Sequence, residues 1–468
     1  MTFRHRFDPT TLREYDIRGI VGKTLGPEDA HAIGRTFASL VARAGGRRLV
    51  IGHDGRLSSP SLEHVLVEGA MASGMAVQRI GCGPTPMLYF AAIALGADAA
   101  VMVTGSHNPP DYNGFKMVRA NRPFFGAQIR ELGRLSAAGD VIPHRSGTVR
   151  DVDIRPAYVT RLLRDQGSGP RPLKVVWDNA NSAAGDVLSM LVARLPGTHH
   201  ILNGDIDGHF PAHHPDPTIP ANMRQLAAAV RAEKADIGLA FDGDADRLGV
   251  VDETGTIIWA DQLLVLLARD VLRTRPGATI IADVKASQIL FDEIARAGGT
   301  PLMWKSGHSP IKTRMAETDA PLAGEMSGHF FFADHWYGFD DALYAAVRVL
   351  EMVSHLKTPL SALRTALPAR VSTPELRFDC PESRKFAVIA EVAARLEKTG
   401  ATVCAIDGVR VSTPDGWWLL RASNTQAALT ARAEGTTGTA LARLQAELCA
   451  QLAQSGIAAP DFTGAGND

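Results

Sequence analysis

The apolar positions of this chain come in short runs, and three times they follow one plan. Arg48-Leu49-Val50-Ile51-Gly52 is a strand-like run, followed by Asp54, a cluster of small hydroxyls (Ser58, Ser59, Ser61), the helical stretch LEHVLVEGAMASG and a second strand-like run, MAVQRIG. The order recurs in KVVWDNANSAAGDVLSMLVARL from Lys174 and in TIIADVKASQILFDEIARAGGTPLMW from Thr279. Strand, Asp, small polar caps, helix and strand predict parallel strands joined by crossover helices, hence α/β sheets. Three separate units predict three related α/β domains rather than one long sheet. After about Leu367 the pattern changes. The runs ATVCAI, GVRVST and GWWLLRAS are short strands divided by the turn residues Asp407-Gly408 and Pro414-Asp415-Gly416, with a helix around 439–455. The tail therefore reads as a smaller α+β domain. The domains expected are 1–150, 151–255, 256–367 and 368–468, with linkers at 147–156, at 253–255 and near Pro368.

A length of 468 residues suits several domains. Basic and acidic residues nearly balance, leaving a net charge of −1. That excludes the basic excess of a nucleic-acid or anionic-membrane binder, so an anionic ligand must be met by a local cluster of donors. Cys82, Cys380, Cys404 and Cys449 are far apart and form no C-x-x-C pair. Neither a zinc ribbon nor a disulfide framework is indicated, and buried thiols in a reducing cytoplasm are expected. The start, MTFRHRFDPTTLREYD, lacks an apolar signal core, and no run reaches membrane-spanning length. A soluble cytoplasmic protein without nucleic-acid or membrane partners is the expectation.

Four polar clusters interrupt the apolar runs, one in each expected domain. The first, Thr104-Gly105-Ser106-His107-Asn108-Pro109-Pro110, leaves the strand-like run ADAAVMV and continues through Asp111 to Lys116. Loops at strand ends are where open α/β sheets bind ligands. A serine beside a histidine and near a lysine suits a nucleophile or phosphate carrier, although a strand-to-helix turn could look the same. The second, Asp242-Gly243-Asp244-Ala245-Asp246-Arg247, alternates three carboxylates with small residues. Carboxylates this close repel unless a cation sits among them, and all-oxygen ligation suits Mg²⁺. Counting from Asp242, Glu253 falls at the twelfth position as in a calcium-binding EF-hand loop. That reading fails because Arg247 stands where the turn needs glycine and the flanks are strands. Arg247 suits a phosphate clamp instead. The third, Gly324-Glu325-Met326-Ser327-Gly328-His329, offers the carboxylate and hydroxyl that sugar hydroxyls need, and Lys305-Ser306-Gly307-His308 lies just upstream. The fourth, Arg421-Ala422-Ser423-Asn424-Thr425-Gln426, puts an arginine ahead of several small donors, a cradle for an anion.

Together with Tyr15-Asp16-Ile17-Arg18-Gly19, these motifs run in one order along essentially the whole chain. In that order the chain resembles the α-D-phosphohexomutase family, most closely its bacterial phosphomannomutase/phosphoglucomutase branch. The resemblance implies four domains around a central cleft, three of them topologically similar α/β domains with mixed sheets, and a phosphoserine at Ser106. It implies one Mg²⁺ per chain, held by Asp242, Asp244, Asp246 and an oxygen on Ser106. Arg247 would hold the phosphoserine, with His107 and Lys116 nearby. Tyr15 and Arg18 match the opening loop, and Lys285 and His308 match substrate-contacting positions. Glu325, Ser327 and His329 match the sugar-recognition loop; Arg421, Ser423, Asn424 and Thr425 match the phosphate-binding loop. The activity implied is interconversion of hexose 1-phosphate and hexose 6-phosphate, for mannose and glucose, through a hexose 1,6-bisphosphate. Lys116, Arg18 and His308 are alternative general bases. A phosphoglucosamine mutase and a metal-dependent sugar phosphatase are the alternatives for the activity, and a monomer or weak dimer is expected. One departure stands out: Ala427 follows Gln426 where many relatives carry proline.

Overall fold

The structure, a computed structural model, describes residues 3–165, 171–423 and 427–462. Three mixed sheets repeat one topology. In the first, strand Arg48–His53 pairs in parallel with Ala76–Cys82 on one side and with Ala99–Val103 on the other. The latter then pairs antiparallel with Tyr112–Arg119. The second repeats this with Leu173–Asp178 between Gly197–Leu202 and Ile237–Phe241, and Leu248–Asp252 returning antiparallel. The third uses Thr279–Asp283 between Thr300–Trp304 and Leu322–Gly324, with Phe330–Phe332 returning. The fourth sheet is antiparallel throughout, with Gly416–Ala422 and Ala428–Gly435 as its central hairpin. The helix predicted near the C-terminus spans Gly438–Gln454, capped by the Thr437 hydroxyl.

In each of the first three sheets, the polar cluster is the loop between the last parallel strand and its antiparallel return. Each of these last parallel strands is buried along its whole length. Strands buried on both faces are uniformly apolar, so the first polar residue after each run marks the end of the strand. Two sequence expectations differ in detail. The stretch 147–156 read as a linker contains the exposed edge strand Thr148–Asp151, paired in parallel with Ala76–Cys82, and the start of helix Arg155–Leu162. The hydroxyls read as a helix cap are used differently: Ser58 makes no capping bond, and Ser59 donates to Asp54 at 2.5 Å.

One continuous apolar core runs from helix Thr85–Ala94 of the first domain through Trp177 and Phe241 of the second to Phe330 and helix Ala342–Ser354 of the third. A separate core beneath the first sheet includes Phe37 and Val101, and the fourth domain has its own around Trp418 and Leu448. No helix of the described residues is long and apolar enough to cross a membrane.

Candidate active site

The four clusters converge on one cavity of about 1530 Å³. Its walls carry Tyr15, Arg18, Ser106, His107 and Lys116 from the first domain and Arg247 from the second. The third adds Lys285, His308, Glu325, Ser327 and His329, and the fourth Arg421 and Ser423. Asn424 and Thr425 of the predicted phosphate loop lie outside the described residues.

At the base of the cavity the Ser106 hydroxyl lies 3.2 Å from an Asp242 carboxylate oxygen and 3.2 Å from His107 Nδ1. Ser106 has φ +49°, a left-handed conformation that side chains other than glycine rarely adopt and that recurs at functional sites. The aspartate loop packs directly on it: a Cβ at Gly243 would meet the Ser106 carbonyl at 2.3 Å, so only glycine fits between Asp242 and Asp244. Burial and the charges of Arg247 and Arg18 keep the His107 imidazole neutral, well below its ordinary range.

Asp242, Asp244 and Asp246 are fully buried and offer oxygens within 4.8 Å of one another. Burial, with Asp246 and Asp244 as like charges, pushes the Asp242 carboxyl well above its usual range. The Asp244 Oδ1 is buried without a hydrogen-bond partner. A set of close, buried, all-oxygen donors with one lone pair unclaimed fits a hard divalent cation. The other Asp244 oxygen accepts from Thr85 at 2.5 Å and from Lys116 at 2.7 Å, and Lys116 also reaches Asp246 at 2.5 Å. Burial opposes its charge, yet Asp244 and Asp246 lift the Lys116 ammonium well above its usual range.

The third-domain loop meets the same triad. His329 Nε2 lies 3.1 Å from Asp246, and its Nδ1 lies 2.8 Å from Ser327 and 3.1 Å from Glu325. Against burial, Asp246 and Glu325 raise His329 to about 10. Its ring stacks on His308 with centroids 5.8 Å apart; burial and Lys312 keep His308 well below its ordinary range. Glu325 also accepts from the Gly307 N–H at 2.6 Å. Arg247 lies 3.6 Å from Asp216, 3.9 Å from Asp242 and 3.5 Å from His107. Tyr15 donates to the Ser306 carbonyl at 2.9 Å, and Arg18 bonds Asn108 and Asp16. Where the third and fourth domains meet, Lys285 reaches Glu375 at 2.9 Å, and within the fourth Arg421 reaches Asp407 at 2.9 Å.

Four family descriptions match in order: phosphoglucomutase/phosphomannomutase α/β/α domain I over residues 9–137, domain II over 156–255, domain III over 259–371 and the C-terminal domain over 375–451. The chain belongs to the phosphoglucomutase/phosphomannomutase family. It is 46% identical over 434 residues to a phosphomannomutase/phosphoglucomutase of Pseudomonas aeruginosa, covering 93% of each chain. It is also 46% identical over 437 residues to a phosphoglucomutase of Neisseria meningitidis, covering 93% of this chain and 95% of the relative. A crystal structure of a phosphoglucomutase/phosphomannomutase family protein from Burkholderia thailandensis superposes with a TM-score of 0.90 at 44% identity, covering 96% of this chain and 98% of that one. As a member of this family the chain is a phosphohexomutase, an isomerase.

Several groups that complete the site carried little or no signal in the sequence. Thr85 and Asp216 hold Asp244 and Arg247 from positions far along the chain. Asp340, whose carboxylate lies 3.6 Å from His308 and 2.8 Å from Lys312, reads in the sequence as one of two adjacent aspartates before a helix. Asp283 accepts from the Ser306 hydroxyl at 2.8 Å, and burial raises it to about 6. The aspartate that ends each first strand was visible in the repeated plan, and that recurrence was the one available pointer to Asp54 and Asp283.

Proposed function

We propose that this phosphohexomutase interconverts the 1- and 6-phosphates of glucose and mannose, with Ser106 as phosphoryl carrier and a hexose 1,6-bisphosphate as intermediate and activator. The observation that carries the reading is the Ser106 hydroxyl, 3.2 Å from Asp242, opening into a cavity whose other walls bear Arg247, Lys285 and Arg421. One phosphate binds the Arg421–Ser423 wall while the free 6-hydroxyl meets phospho-Ser106. The new O6–P bond forms as the Oγ–P bond breaks, and the hydroxyl proton passes to the neutral imidazole of His308. Lys116, held protonated, and Arg18 then serve the charge on the transferring group rather than the proton. One Mg²⁺ per chain, held by Asp242, Asp244, Asp246 and a phosphoserine oxygen, would neutralise further charge there. The bisphosphate turns end for end; its O1–P bond breaks, the Ser106 Oγ–P bond re-forms, and O1 regains a proton.

Glu325 and Ser327 suit the 3- and 4-hydroxyls, which leaves carbon 2, where glucose and mannose differ, unread. The names of the Pseudomonas and Neisseria relatives support this choice of sugars. We place the enzyme in the cytoplasm as a monomer or weak dimer.

The test is Ser106→Ala assayed with Mg²⁺ and added glucose 1,6-bisphosphate, beside the wild type on glucose 1-phosphate, mannose 1-phosphate and glucosamine 1-phosphate. Loss of more than about a hundredfold is expected on removing a covalent carrier, with the wild type turning over the two neutral sugars comparably. Retained activity in the variant refutes the carrier. Activity confined to the amino sugar replaces the dual specificity with a phosphoglucosamine mutase.

A further inference from the structure

The loop that presents Ser106 is held from behind by a group that does not line the cavity. Arg56 is 1% exposed, and its guanidinium donates to four main-chain carbonyls of that loop. These are Ser106 at 2.7 Å, Asn108 at 2.6 Å, Pro109 at 2.5 Å and Tyr112 at 3.0 Å. Its Nε lies 3.2 Å from Asp54, whose carboxylate also accepts from the Thr104 hydroxyl at 2.8 Å and the Gly105 N–H at 3.1 Å.

Two further observations tie this clamp to the serine. A Cβ at Gly105 would stand 2.5 Å from the Arg56 guanidinium, so the glycine before Ser106 is what admits the arginine. The second domain closes the other side. The Phe210 ring lies 5.2 Å from the guanidinium, and a Cβ at Gly208 would meet the Gly55 carbonyl at 2.7 Å. Boxed in this way, the loop keeps Ser106 at φ +49°. A planar fork with several fixed donors can span four carbonyls; a lysine ammonium, a single point, cannot.

We propose that Arg56 is a positioning residue for phosphoryl transfer, fixing the main-chain turn that aims the Ser106 hydroxyl while lining neither the substrate cavity nor the aspartate triad. The proposal rests on Ser106 being the phosphoryl carrier. The clamp acts on the carrier and not on the walls that hold the sugar and its other phosphate. Its loss therefore lowers kcat and leaves KM. The same aim governs charging of the enzyme by hexose 1,6-bisphosphate, in which the sugar O–P bond breaks, the Ser106 Oγ–P bond forms and the serine proton goes to the sugar oxygen.

Full-length Arg56→Lys, assayed with Mg²⁺ on glucose 1-phosphate, is expected to keep KM within about twofold and lose about fiftyfold or more in kcat, in line with the cost of small misplacements of reacting groups. Phosphorylation of Ser106 by glucose 1,6-bisphosphate, followed by intact mass, slows by a similar factor. Gly105→Ala presses a methyl onto the same guanidinium and gives the same kcat-only loss; it carries the test if the lysine variant does not fold. A kcat within about threefold of wild type, or a rise in KM that accounts for the whole loss, overturns the role of Arg56. An unphosphorylated wild type together with an active Ser106→Ala variant overturns instead the carrier reading on which it rests.

Discussion

At the scale of single residues, the aspartate triad shows function set against stability. Three carboxylates in one loop were legible because their density is local: no partner elsewhere in the chain is needed to see that they demand a cation. Thr85 was not legible as a support, because it reaches Asp244 across 159 residues of sequence; Lys116 was read as a site residue, but not its bond to Asp244 across 128 residues. Asp242 bears the cost most plainly. Burial and its two neighbours raise its carboxyl well above the unfolded value of about 3.9. A raised pKa means that stability present at low pH is lost as pH climbs through the folded value. Asp242→Asn keeps an oxygen for the Asp246 and Arg247 N–H groups, which Asp242 accepts at 3.1 Å each, and removes the charge. In metal-stripped protein at neutral pH, the variant is expected to melt higher than wild type. It is also expected to bind Mg²⁺ more weakly in calorimetry and to lose about a hundredfold or more in activity. A lower melting temperature would show that repulsion within the triad is not what Asp242 contributes.

At the scale of elements, the sequence exposed the helices and the buried strands but not the edges. Val50, Val101 and Leu239 sit in runs apolar on both faces, which mark central strands without ambiguity. Thr148–Asp151 is exposed at all four positions, so no hydrophobic alternation announced it, and pairing with Ala76–Cys82 alone makes it a strand. Helix Ala342–Ser354 is a different case, since its start is set by a titratable cap. Asp341 accepts from the Tyr344 N–H at 2.9 Å and from the Tyr158 hydroxyl at 2.8 Å, and burial raises it to about 7. Its contribution is fully present below about pH 4, the unfolded value, and is lost as pH rises through 7. Asp341→Asn retains a capping oxygen without the charge. Melting curves of the wild type should therefore fall more steeply between about pH 4 and pH 8 than those of the variant, which melts higher at the alkaline end. Parallel pH profiles would mean that the group does not titrate in that window.

At the scale of the whole molecule, two buried arginines do similar work for different walls of the cavity. Arg56 fixes the carrier loop within the first domain, whereas Arg410 joins the fourth domain to the third. Its guanidinium lies 3.8 Å over the Trp417 ring and donates to the Val284 and Ala286 carbonyls at 2.7 and 2.8 Å. Between those carbonyls is Lys285, whose own carbonyl accepts from Arg432 at 2.5 Å and whose ammonium reaches Glu375. The fourth domain has its own main core and meets the third through a small apolar cluster, Val284 against Trp417 and Leu419, beside which these polar contacts lie. None of this is visible in the sequence, where Val409–Thr413 reads as an ordinary short strand and the partners lie more than 120 residues away. Arg410→Lys leaves buried carbonyls short of donors, at about 1–3 kcal/mol for each one unmet. The loss falls on the wall that carries Lys285 and not on Ser106. The expected result is the opposite split from Arg56: KM for glucose 1-phosphate rises about tenfold while kcat stays within about threefold. Small-angle scattering should show a larger radius of gyration as the fourth domain loosens. A kcat loss at constant KM would show that Arg410 acts on the transfer step itself, and the division of labour between the two arginines would fall.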